Sequence, residues 1–379
     1  MRKVFFGLAL ALVLMAVFSA LALPDLLGQS EEAPLEDPEI ARARQLNASL
    51  SEGIEWFLRN ENSDFIHYSY DPAKGRYSAD DNTVRKLATL WAISKSYRET
   101  GDTRLKALFE KGYAFFKKDI IYLPSQNISY MPIPEGKIAH SAFMILALIE
   151  ADDFPERNMT LALLGAGLLE RQREDGAFRT FFEENGVERG IDYYPGEAML
   201  SLVSLYEETG EEKYLDSVRR GFYYYRDYWR EKRTMPFTPW HIQAYYLLHR
   251  NEQLPEYREF VFEMGDYLSE IQENTTNGAF SVPGGISTAV YIEGMEDAYS
   301  LAVESADSSR ALRYRRVLFS SIDFMRSLQY SEDERARREL PENVLGGFRS
   351  SFPSPVTRID NNQHAVLAML KHKKNFYSD

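Results

Sequence analysis

The sequence predicts an all-α protein, an (α/α)6 toroid of six helical hairpins preceded by an N-terminal hydrophobic segment. Three observations carry this. From residue 41 onward the apolar residues recur at helical spacing almost without interruption. The helices alternate between two kinds, one apolar nearly all round and one apolar along a single stripe. Each kind occurs six times. A helix apolar all round is buried and one with a polar stripe faces water, so six inner helices inside six outer ones close into a ring.

The N-terminus comes first. Arg2 and Lys3 precede an unbroken apolar run, Val4 to Leu23, of 20 residues. Ala20-Leu21-Ala22 offers a signal-peptide cleavage site, yet the run is long enough to span a bilayer uncut. Residues 1–23 are therefore a cleaved signal or a membrane anchor, and either one places the protein outside the cell or on its surface. Residues 24–40 contain "GQSEEAPLEDPE" and read as an acidic linker. Residues 41–379 are the toroid domain.

The inner helices are expected at Asp80 to Tyr97, Lys137 to Ala151, Tyr193 to Gly210, Phe237 to Arg250, Ile292 to Ser305 and Thr357 to His372. The outer ones fall at Ala41 to Leu58, Thr103 to Lys118, Glu156 to Arg173, Glu211 to Trp229, Pro255 to Gln272 and Ser308 to Gln329. The inner first turns recur about every 45–65 residues, the mark of a repeat. "ETGD" at Glu99 to Asp102 and "ETGE" at Glu208 to Glu211 are matching inner-to-outer turns with Gly at the helix end. The outer-to-inner connections share another signature: "QREDGAF" (Gln172 to Phe178), "QENTTNGAF" (Gln272 to Phe280) and "LGGF" (Leu345 to Phe348). "GFYYYRDYW" (Gly221 to Trp229) reads as an outer-helix packing stripe, and "EDERARREL" (Glu332 to Leu340) as a solvated charged segment.

These glutamine–glycine–aromatic turns resemble those of six-hairpin glycosidases, sugar epimerases and terpenoid-cyclase-like toroids. The resemblance covers residues 41–379 and implies a fold and the place of a site, not a reaction. The cyclase-type acid motif D-x-D-D is not matched, since Ser78-Ala79-Asp80-Asp81 lacks its first aspartate. Toroid members that bind zinc through Cys are excluded as well, because the chain has none.

Composition narrows the function further. A net charge of -13 argues against nucleic acid, whose phosphates need concentrated Lys and Arg. Sequons stand at Asn47, Asn127, Asn158 and Asn274, candidate glycosylation sites on an exported protein. Aromatic residues at 13% suit either a large helical core or a sugar-binding cleft. No cofactor and no catalytic metal are expected, and the protein is expected to be a monomer.

In such a ring the long loops and the starts of the inner helices share one face, so the six polar first turns converge on a funnel. That places Asp81, Asn82, Arg85, His140, Tyr193, Tyr194, Glu197, Trp240, His241 and Gln243 there, with Glu293, Glu296, Asp297, Arg358, Asp360, Asn361 and His364. Asp and Glu at helix starts also serve as caps and dipole partners, which is the simpler account of Asp81 and Asp360 taken singly. His140, Trp240, His241, Gln243 and His364 are not capping types, and polar groups on buried helices need partners. Three chemistries fit. Glu197 paired with Asp360 or Glu296 serves glycoside hydrolysis. Tyr194, His140, His241, Arg85 and Arg358 serve proton abstraction beside a uronate carboxylate, as in a C5-epimerase or lyase. The third is glycan binding without chemistry. The expectation adopted is an enzyme acting on a poly- or oligosaccharide, with hydrolysis first.

Overall fold

A computed structural model describes residues 37–132, 135–183, 188–275 and 277–378. The chain divides into two units, residues 1–44 and 45–379. In the first, the described part is residues 37–44, where helix α1 (Pro38–Arg59) begins, inside the stretch read as linker. The apolar run from Val4 to Leu23 and the linker up to residue 36 lie outside the described residues.

Among the described residues the second unit is built as the periodicity predicts. The inner helices are α2 (Thr83–Thr100), α4 (Ile138–Ile149), α6 (Tyr194–Thr209), α8 (Thr238–Glu252), α10 (Thr288–Glu304) and α13 (Ile359–Phe376). Each packs on the next, and α13 packs back on α2, so the ring is closed. Around them lie α1, α3 (Thr103–Lys117), α5 (Arg157–Leu169), α7 (Glu212–Lys232), α9 (Pro255–Glu273) and α11 (Ser308–Ser327). Every residue from Ile138 to Leu148 of α4 is buried, as an inner helix requires. On α7, Phe222, Tyr225 and Trp229 form the buried stripe of "GFYYYRDYW". The charged segment after α11 contains a short helix, α12 (Glu332–Arg337), with no buried residue.

Local chemistry explains the boundaries. The Asn82 side chain caps α2 by accepting from the Arg85 amide at 3.0 Å, and Asp102 caps α3 in the same way. Gly101 and Gly210 end α2 and α6 in the left-handed conformation, at φ 69° and 70°. Of the two glutamines in the outer-to-inner signature, Gln172 proves to be a clamp, and Gln329 just past the end of α11 is another. Gln172 Nε2 donates to the carbonyls of Gly176 (2.9 Å) and Ser217 (2.8 Å), tying its loop to α7. Gln329 Nε2 does the same to Ser49 (2.8 Å) and Gly346 (3.0 Å), tying the last loop to α1.

Two small sheets were not expected. Strands β1 (Ser69–Asp71), β2 (Arg76–Tyr77) and β5 (Thr357–Arg358) form an antiparallel sheet in the order β2-β1-β5, with Ser69 opposite Arg358. Strands β3 (Ile121–Leu123) and β4 (Ile128–Tyr130) form a hairpin whose turn holds Asn127. The sequon residues Asn47, Asn127, Asn158 and Asn274 are all exposed.

Candidate functional site

The inner helices begin where the ring opens to the long loops, and one side chain marks the axis. Trp240, third residue of α8, lies 5.5 Å from the ring of Phe143 on α4 and 5.9 Å from that of His364 on α13. Neither α4 nor α13 is a ring neighbour of α8, so Trp240 reaches across the middle. His140 precedes Phe143 by three residues and shares its face of α4, while Asp360, His364 and Lys371 share one face of α13.

Glu197 is the fourth residue of α6 and is 5% exposed. Two neighbours fix its direction. A Cβ on Gly196 would lie 2.7 Å from Trp240 Cβ, so that side of α6 rests on α8, and Met199 rests on Gly221 of outer helix α7. At about 100° per residue, Glu197 points almost opposite Met199, toward the axis. Burial raises its carboxyl to about 8, so it carries a proton at neutral pH. Tyr194, one turn nearer the mouth, is raised to about 12 by burial and then by Glu197, and stays a phenol.

Several buried polar atoms have no partner among the described residues. Glu197 Oε2 is one, and His140 Nε2 on α4, His241 Nε2 on α8, Glu293 Oε2 on α10 and Gln363 Oε1 on α13 are others. All five stand within the first six residues of their helices. Unpaired buried polar groups are rare and costly; four of these, on α4, α6, α10 and α13, stand at the end of the ring that carries Trp240, while His241 faces the outer layer.

The best ordered pair there is His364 with Glu293. Nδ1 of His364 lies 2.6 Å from Glu293 Oε1, which fixes the ring and leaves Nε2 free to meet a ligand. The His364 side chain is 21% exposed, whereas Glu293 is fully buried, which raises its carboxyl. Deeper along the same faces, Lys371 Nζ donates to Gln243 Oε1 (2.8 Å) and Asp297 Oδ2 (2.7 Å), joining α13, α8 and α10. At the mouth, Asp360 accepts from Arg358 at both oxygens and is ion-paired with Arg85 at 3.0 Å, and Arg85 donates to the Tyr68 hydroxyl.

Other residues named from the sequence are placed elsewhere. Asp81 is exposed and paired with Lys86 at 2.7 Å. His241 stacks on Phe237 at 3.4 Å beside Tyr225 of α7, in the wall between inner and outer layers, and burial lowers it to about 3. Glu296 is also turned into the wall, where its two oxygens accept from His372 (2.7 Å) and Asn375 (2.7 Å). Asn361 holds the Phe348 carbonyl at 2.9 Å. Tyr193 lies at the rim, 44% exposed. Glu197 therefore has neither Asp360 nor Glu296 as a free carboxylate partner. Helix α10 starts at Thr288, four residues before the expected Ile292, which puts Glu293 in its second turn. The pairing of Glu293 with His364 has a sequence trace only in two buried-helix residues of the right types; Tyr68 and Lys371 had no signal.

No protein-family model matches the sequence, and no curated protein matches it either. Solved structures do match, at identities that show the fold alone. An unsaturated glucuronyl hydrolase from Bacillus sp. GL1, responsible for the degradation of glycosaminoglycan, superposes with a TM-score of 0.66 and 15% identity, covering 87% of this chain and 97% of its own. A cellobiose 2-epimerase from Spirochaeta thermophila gives 0.64 and 14%, covering 90% and 99%. A D-mannose isomerase gives 0.64 and 12%, covering 87% and 97%. The chain has the (α/α)6 toroid fold of these six-hairpin proteins.

Proposed function

We propose that this protein is a carbohydrate-active enzyme working at the mouth of the ring, with Glu197 as general acid and His364, oriented by Glu293, as general base. The observation that carries it is the set of unpartnered buried polar atoms of His140, Glu197, Glu293 and Gln363 at the starts of four inner helices. In the first reading the reaction is hydrolysis of a glycosidic bond. The Glu197 carboxyl gives its proton to the departing oxygen, and His364 Nε2 takes one from the water that attacks the anomeric carbon. Trp240, buried beside the His364 ring at 5.9 Å, is the aromatic residue nearest that base.

A second reading is epimerisation or isomerisation of a sugar by proton transfer at carbon. It is favoured by the pairing of a carboxylic acid with a histidine rather than with a second carboxylate, and by the fold shared with an epimerase and an isomerase. Incubation with neutral and acidic oligosaccharides in D2O, followed by NMR, separates the two. New reducing ends mean hydrolysis; deuterium on carbon without chain shortening means epimerisation. If no sugar is altered, or Glu197→Gln acts at the wild-type rate, the enzyme reading is lost.

Export belongs to the same proposal and is supported by the basic start and apolar run of residues 2–23. Fractionation of cells with N-terminal sequencing tests it, and full-length protein in the cytosol overturns it.

A further inference from the structure

Two guanidinium groups share a single carboxylate at the rim of the site. Asp360 accepts from Arg358 Nε and Nη2 and is ion-paired with Arg85, whose Nε lies 3.0 Å from Oδ2. Arg85 spends Nη1 on Tyr68. Arg358 Nη1 and Arg85 Nη2 have no partner among the described residues, and the two side chains are 33% and 38% exposed. Each arginine has five N–H donors in a planar fork, so several remain unspent. Lys86 nearby is matched by Asp81, which leaves the arginine pair and Asp360 with a net charge of +1 in a chain of -13. The backbone fixes the pair: Arg358 sits in β5 opposite Ser69 and is the N-cap residue of α13, and Ile359 donates its amide to the Tyr68 carbonyl at 3.0 Å.

Asp360 and His364 stand four residues apart on one face of α13, with the arginines on the mouth side, and residues so spaced have Cβ atoms about 5–6 Å apart. That is the scale of one sugar ring. Planar guanidinium forks match a carboxylate through two parallel hydrogen bonds.

We propose that Arg85 and Arg358 form a subsite for the carboxylate of a uronic acid residue, with Asp360 holding the two forks in place when no substrate is bound. The substrate is then an acidic saccharide. This rests on the enzyme reading for its place in catalysis, but the binding can be measured by itself.

The test is calorimetric titration at low salt with a glucuronate-containing oligosaccharide and with its neutral glucose counterpart. The acidic probe binds at least about tenfold more tightly, and salt weakens only the acidic probe. Arg85→Gln with Arg358→Gln removes the difference. Asp360→Asn, which takes away the competing internal carboxylate, widens it. Circular dichroism checks that each variant is folded; if the double variant is not, Asp360→Asn alone decides. Equal affinity for both probes, or preference unchanged in the variants, overturns the subsite even if neutral sugars are turned over. Preferential binding lost with the arginines, in a protein that converts no sugar, sustains the subsite and removes the enzyme reading.

Discussion

Nδ1 of His364 lies 2.6 Å from Oε1 of Glu293, across 71 residues of sequence and between neighbouring inner helices. The contact sets the orientation of His364, whose ring lies 5.9 Å from that of Trp240. His364→Gln is expected to lower kcat by about 10²–10⁴-fold. Glu293→Gln lowers it less, since an amide still accepts one hydrogen bond. The double variant is no slower than His364→Gln alone, because Glu293 acts through the histidine. Additive losses in a kinetic cycle exclude that coupling.

Glu197 links pH to both rate and stability. A carboxyl raised to about 8 by burial makes the rate fall as pH rises through 8, and Glu197→Gln lacks that limb. The sign for stability follows from where protons sit. Between about pH 4.5 and 8 the unfolded chain has released this proton and the folded one keeps it, so stability declines with rising pH over that window. The full shift corresponds to on the order of 5 kcal/mol. Glu197→Gln should therefore melt close to wild type at pH 4.5 and above it at pH 8. Parallel melting curves across that range refute the burial argument.

Glu296 gives the opposite pattern. With its oxygens held by His372 and Asn375 inside the wall, Glu296→Ala leaves buried groups unpaired and costs about 3–5 kcal/mol in a urea titration. At a temperature where the variant is folded, its kcat stays within a few-fold of wild type. A variant with unchanged stability and no turnover returns Glu296 to the chemistry.

The loop clamps are a stability feature. Gly176 has φ 91°, and a Cβ there would lie 2.3 Å from the Arg220 carbonyl oxygen. Gly176→Ala is expected to cost about 1–3 kcal/mol from backbone strain alone. Gln172→Ala loses both clamp donors and costs about 1–3 kcal/mol. Urea unfolding of the two variants checks this, and a loss below about 0.5 kcal/mol in both contradicts the clamp.

How much of this was legible follows from what a one-dimensional pattern holds. The hairpins were, because burial all round (Ile138 to Leu148) and burial on one stripe (Phe222, Tyr225, Trp229) leave different spacings. The clamp at Gln172 was visible as part of a repeated Gln and Gly, whereas the one at Gln329 was not. The direction of each polar side chain was not. Trp240 and His241 are adjacent, yet about 100° of helix rotation puts one on the axis and the other in the wall. Glu293 and Glu296 are both fully buried and three residues apart, and they meet different histidines. That phase depends on where α10 starts, which the loop before it decides. The strands, two or three residues long, have no period to read.

Closure of the ring by α13 against α2, sealed by the pairing of Ser69 with Arg358, has a consequence for synthesis. Helix α2 leaves the ribosome early, with every residue from Leu87 to Ile93 destined for burial. Its partner on one flank is encoded almost three hundred codons later. At about 5–20 residues per second, the nascent chain carries an apolar, unpaired helix flank for tens of seconds. Throughout that interval it is an open arc of hairpins, a client for chaperones that shield such surfaces. A message truncated before codon 359 releases a product that can never lose that edge.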